Sequence, residues 1–208
     1  MPLPERFKPA KLNRQKLKEL ADAAEEILSQ IDNGADEGDE GLKALIDCWN
    51  RQVVNPYEFS DFRDFSSWTS AKDFTRMAFN QEKYVADLTW DELVQIIRFV
   101  CSAEGKESEQ RYALGFLEKN FDANPSDLIY WPNEWLKDED MLQVDLTPEE
   151  IAGYLVAKSG RLLSDAQQID LKYPIPPNAK LTLRDISLIG RTRQTCLSIG
   201  RTNHLCHT

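Results

Sequence analysis

Apolar residues recur at helical spacing along most of this chain. Leu17, Leu20, Ala24, Ile27, Leu28 and Ile31 share one helical face. Asn13 is placed to cap that helix, and Asn33-Gly34 to end it after Asp32. An acidic, glycine-punctuated loop over residues 36–40 separates it from a second helix carrying Leu42, Leu45, Ile46, Trp49 and Val53. That helix stops before Asn55-Pro56, because a residue preceding proline is driven out of the helical region. Residues 57–68 are aromatic, acidic and short in period. Residues 69–73 then open another helix, with Phe74, Met77 and Ala78 as its apolar positions.

The second half repeats this order. A run over residues 88–101 reads as a helix, followed by a polar break at 102–107 and a helix over 108–121. Leu146-Thr147-Pro148-Glu149-Glu150-Ile151 opens a final one. Asn124-Pro125 answers Asn55-Pro56, and the spacings agree within a few residues, as a tandem duplication would leave them. The pattern predicts an all-α protein with two tandem four-helix modules, at 13–82 and 86–158, and an extension over 159–208. Within the extension, 161–171 reads as a further helix, 173–177 as extended because of its prolines, and 181–189 as a short helix.

Between the two last helices of the second half lies Ser126-Asp127-Leu128-Ile129-Tyr130-Trp131-Pro132. Two adjacent aromatics beside a carboxylate, stopped by proline, make a poor interior segment and a good binding tip. Rigid aromatic area ordered at low entropic cost is the usual make-up of an interface hot spot. The other reading is that Leu128, Ile129 and one ring plug a core.

The order of helix, polar break, helix, this heptapeptide and final helix resembles the colicin E and pyocin DNase immunity proteins. These are small four-helix inhibitors whose short third helix carries Ser-Asp-Leu-Ile-Tyr-Tyr-Pro. The resemblance covers about residues 86–158 and includes a Cys at the end of the first helix, here Cys101; Trp131 replaces the family's second Tyr. It implies stoichiometric inhibition of a nuclease toxin, without a cofactor. Ser126, Asp127, Tyr130, Trp131 and Pro132 would form the common anchor, and exposed residues of the second helix would set partner choice. Taking Leu114, Leu117 and Phe121 as that helix's core face, the outward set is Arg111, Tyr112, Gly115, Glu118 and Lys119. Tyr112 and Phe116 have an alternative role in packing against the first half.

Charge narrows the partner. The chain of 208 residues has a formal net charge of −10, which argues against direct nucleic-acid binding and suits a basic protein partner. Residues 178–208 run the other way, with five cations against Asp185 in a Ser/Thr-rich tail that reads as a flexible extension. No apolar run approaches a membrane span, and the first ten residues lack a signal-peptide core, so the expected location is cytoplasmic. Cys48, Cys101, Cys196 and Cys206 form neither a disulfide framework nor a zinc knuckle.

Catalysis finds little support. His204 and His207 are the only histidines, and their spacing with Cys196 and Cys206 matches no metal-binding pattern. Gly34, Gly38 and Gly41 precede no Lys-Ser/Thr of a phosphate loop, and residues 36–40 lack the ligand order of a calcium loop. The expectation is a non-enzymatic immunity protein with no metal or cofactor, whose partner is a nuclease-type bacterial toxin. The alternatives are immunity against another toxin class, or an acidic helical adaptor.

Overall fold

The computed structural model of the chain describes residues 2–177. They contain nine α-helices and no strand, so the all-α expectation holds. α1 (Arg14–Asp32) begins where Asn13 accepts from the amides of Gln15 and Lys16, and Asp39 caps α2 (Glu40–Asn50) in the same way. α3 (Phe59–Asp64) and α4 (Ala71–Met77) complete the first half. The second half holds α5 (Trp90–Ser102), α6 (Glu107–Asn120), α7 (Pro125–Tyr130), α8 (Pro132–Leu136) and α9 (Pro148–Ser159). Reciprocal capping boxes start α5 at Thr89 and Glu92, and α9 at Thr147 and Glu150.

α1 packs on α2, α3 and α4 around Trp49. The indole of Trp49 donates to the carbonyl of Leu20 at 2.9 Å, so this large side chain is buried without an orphaned N–H. Phe62 meets it edge-on at 5.1 Å, and Phe74 stacks on Phe65 at 4.5 Å. This cluster draws only on residues of the first half. In the second half α5 packs on α6 and α9, and α7 on α6, α8 and α9. Leu93, Ile96 and Ile97 of α5 and Ala152, Tyr154 and Leu155 of α9 are fully buried.

The halves are joined through α4 and α6. Ser108 donates to Asp73, and the amide of Asn80 donates to the carbonyl of Ser108. A 3-10 turn at Glu5–Phe7 inserts Phe7 edge-on against Phe116 at 5.1 Å, while Arg6 pairs with Asp87 and Glu92. Tyr112 is buried as well.

The further helix expected over 161–171 does not form. Gly160 ends α9 in a left-handed conformation, and Arg161 is then held by groups that no continuing helix could reach. Its guanidinium donates to Asn120 Oδ1 at 2.8 Å and to the Val85 carbonyl, and lies over the rings of Tyr84 and Phe121. Asp165 accepts from the Trp90 amide, Lys172 pairs with Glu150, and Leu171 lies where a side chain at Gly153 would stand. The compact unit runs through Pro174. The helix expected at 181–189 and the basic tail from 178 onward lie outside the described residues.

Candidate functional site

α7 is a six-residue helix held at both ends by proline. Asn124 takes a left-handed conformation and Pro125 fills the first helical position, where the missing N–H costs nothing. Ser126 is the second residue inside the helix and does not cap it, contrary to the role its hydroxyl suggests; no side-chain cap is made at this end. Leu128 turns inward and is buried, while Asp127 is half-buried. The Asp127 carboxylate has no ion-pair or hydrogen-bond partner among the described residues.

The helix ends at Tyr130, and Trp131 stands at the junction with α8. Its amide donates to the Asp127 carbonyl at 2.8 Å, and its carbonyl accepts from the Trp135 amide at 3.1 Å. Tyr130 is 51% exposed and Trp131 58% exposed, so both rings project from the surface. Pro132 is buried. It fills the first position of α8.

α8 is the part of this site that the sequence did not reveal. Its Trp135 is buried, donates to the Ala123 carbonyl at 2.6 Å and meets Tyr154 edge-on at 5.5 Å. Lys158 places its ammonium over the same ring at 4.4 Å. Trp135 therefore fixes the junction from which Trp131, four residues earlier, projects. The two tryptophans divide anchoring from display.

The surroundings are strongly acidic. From Phe121 to Lys158 the chain has nine carboxylates against Lys137 and Lys158, and two of the nine are paired, Glu149 with Arg98 and Glu150 with Lys172. Beside Tyr130 a cleft of about 210 Å³ opens between the end of α5, α7 and the segment before α9. Leu128, Ile129, Val144, Leu146 and Ile151 form its walls, with Cys101, Tyr130 and Asp145 as the remaining lining. Burial, then Cys101 and Glu107, push the Tyr130 phenol up, so it stays protonated and able to donate. Cys101 is exposed as a whole, yet burial of its thiol and the neighbouring Asp145 carboxylate push it up too. In the sequence Asp145 is a lone carboxylate between Val144 and Leu146 just before a capping box, a pattern that marks no site by itself.

The second candidate set is divided by the structure. Tyr112, expected on the outward face of α6, is 7% exposed and belongs to the core; Leu114, expected in the core, is half-buried. The buried face is Ser108, Tyr112, Ala113, Phe116, Leu117 and Asn120, because α6 packs on both α4 and α5. Arg111, Gly115, Glu118 and Lys119 do line one open groove, with Leu114 and Glu82. Glu82, from the connection between the halves, lies over Gly115, where a Cβ would come within 3.0 Å of its carboxylate.

No group of three or more His, Cys, Asp or Glu side chains is placed to hold a metal ion among the described residues. Nor is any described helix long and apolar enough to cross a membrane. No protein-family model, curated protein or solved structure matches the chain.

Proposed function

We propose that this chain is an immunity-type inhibitor that binds a nuclease toxin stoichiometrically, with Asp127, Tyr130 and Trp131 as the anchor. The observation that carries the reading is the pair of half-exposed rings beside an unpaired carboxylate on an acidic face. Aromatic anchors of this kind dominate protein interfaces, and a surrounding negative field favours a partner whose substrate-binding surface is basic. The exposure of Trp131 counts against the adaptor reading in which the heptapeptide is internal packing. The reaction is blocked by occupancy and charge, so the inhibitor supplies no catalytic group. Its place of action would be the cytoplasm of the cell that makes the toxin.

The packing of the first helix of each half against its second and last supports the two-module organisation that accompanies this reading, although the second half adds α8 and sets α7 on α6 and α9 where α3 packs on α1. Arg111 and Lys119 on the groove of α6 favour a second reading within the same class, immunity toward a toxin other than a DNase. There the two cations stand beside Glu82 and Glu118, so the groove lacks net negative charge and offers a uniformly basic surface little attraction.

The test is calorimetric titration of the protein with the toxin encoded beside its gene, alongside an assay of the toxin's activity. Binding at one-to-one stoichiometry with loss of nuclease activity is expected, and Tyr130→Ala should weaken it by roughly 2–4 kcal/mol. Binding that ignores Tyr130, or no binding, rejects the reading. Inhibition of a toxin that is not a DNase selects the second one.

A further inference from the structure

The cleft beside Tyr130 differs from its surroundings in having depth. Leu128 and Ile151 are buried at 1% and 3% exposure, Ile129, Val144 and Leu146 are half-buried, and Tyr130, Asp145 and Cys101 are exposed. The lining thus grades from apolar walls to a polar rim. Neither the Asp145 carboxylate nor the Tyr130 hydroxyl has a hydrogen-bond or ion-pair partner among the described residues. No cation lines the cleft among the described residues.

Size and charge select the occupant. About 210 Å³ is too small for a typical small-molecule site, which spans ~300–1,000 Å³, but suits a single long side chain. A carboxylate at the rim, with no cation in the lining among the described residues, repels an anion and attracts a cation. Lysine and arginine have the matching shape, an apolar stem ending in a charge that stays at the water boundary. The Tyr130 ring offers the same cation a favourable face.

We infer that this cleft receives one lysine or arginine side chain of a protein partner, its stem against Leu128, Val144 and Ile151 and its charge on Asp145 beside Tyr130. The inference rests on the reading that the tip meets a protein, and it adds a second contact of a different kind. Tyr130 would serve both, with one face of its ring in the aromatic anchor and the other toward the basic side chain. Asp145 then becomes a residue that reads the partner's charge.

Cys101 supplies the test, because its thiol lines the cleft. The full chain is alkylated with iodoacetamide at mildly alkaline pH and low salt, with and without an acetylated lysine octamer, and the Cys101 and Cys48 peptides are followed by mass spectrometry. The octamer should slow modification of Cys101 and leave exposed Cys48 unaffected. Asp145→Asn should raise the half-protecting concentration about tenfold, whereas Asp140→Asn, the same charge change outside the cleft, should alter it less than about twofold. Protection relative to each variant's own unliganded rate removes the effect of Asp145 on the thiol itself. No protection, or equal losses in the two variants, overturns the inference.

The toxin titration separates this outcome from the broader reading. A toxin bound through Tyr130 and Trp131, with Cys101 unprotected by the octamer, eliminates the cleft as a basic-residue site and leaves the inhibitor reading standing. Octamer protection that depends on Asp145, without toxin binding, supports the cleft and rejects the inhibitor.

Discussion

The hydroxyl of Ser108 donates to the Asp73 carboxylate at 2.8 Å, and that bond ties the first turn of α6 to α4. Arg76 donates to the same oxygen at 2.7 Å and the Ser70 hydroxyl to the other at 3.2 Å. Burial pushes the Asp73 carboxyl up, but the bonds from Ser108, Arg76 and Ser70 outweigh it and hold the group below its ordinary value. A depressed carboxyl stabilises the fold above its unfolded pKa, and the contribution disappears as pH falls through the folded one. Asp73→Asn should therefore lower stability at neutral pH by about 1–3 kcal/mol, because it removes the charge that these donors meet. It should also flatten the acid limb of the stability curve below the ordinary carboxylate range. Urea unfolding across pH measures both, and a variant with the wild-type acid limb would show that Asp73 does not contribute.

Phe7 tests how far the second half depends on the first. Its ring lies in the fold at 5.1 Å from Phe116, although it comes from an N-terminal stretch with no helical pattern. Phe7→Ala should cost about 3–5 kcal/mol, the range for removing a buried aromatic. A fragment covering residues 83–177 lacks this ring and the Asp73 contact. If the two-module organisation is right, circular dichroism should show the fragment helical and cooperatively folded, melting below the full chain. A fragment without a cooperative transition would mean one core shared by both halves.

Legibility followed the local signals. Asn13, Thr89 and Thr147 fix helix starts through bonds to amides two or three residues ahead, so the sequence alone places those ends closely. The register of α6 was not accessible in this way. Its buried face includes Ser108 and Asn120, polar side chains whose partners are distant in sequence: Asp73 for one, the Lys83 carbonyl and Val85 amide for the other. A hydrophobic pattern cannot count such residues as core, so it places Leu114 inside and Tyr112 outside. Arg161 misled for a related reason, since the carbonyl, amide and rings that receive it come from residues 84–121. The tip was legible because its residue types are wrong for an interior, whereas Trp135, which anchors it, is ordinary core chemistry.

Tyr154 tests the segment after α9. Its hydroxyl accepts from the Tyr173 amide at 2.8 Å and donates to the Tyr173 carbonyl at 3.2 Å, closing the returning chain on the helix. Tyr154→Phe keeps the buried ring and removes both bonds, at a cost of roughly 1–3 kcal/mol. Hydrogen exchange should speed up at residues 169–173 before the helices respond, because the loss is local. Uniform acceleration across α5 and α9 instead would mean that the segment and the helices open together.

Trp131 and Trp135 offer the sharpest separation of display from anchoring. They lie four residues apart, one 58% exposed and the other buried with its indole bonded to Ala123. Trp131→Ala should change stability by less than about 1 kcal/mol, because an exposed ring contributes little to the core. The same variant should lose roughly 2–4 kcal/mol of toxin affinity if the ring is an interface anchor. Trp135→Ala should cost about 3–5 kcal/mol of stability through the cavity and the orphaned Ala123 carbonyl. Its affinity should fall as well, since the junction that orients Trp131 loses its support, but the loss should come with a lowered melting temperature. Thermal unfolding and calorimetric titration of the two variants give all four quantities. If Trp131→Ala melts as low as Trp135→Ala while its affinity is unchanged, the exposed ring is structural and the tip is not a binding site.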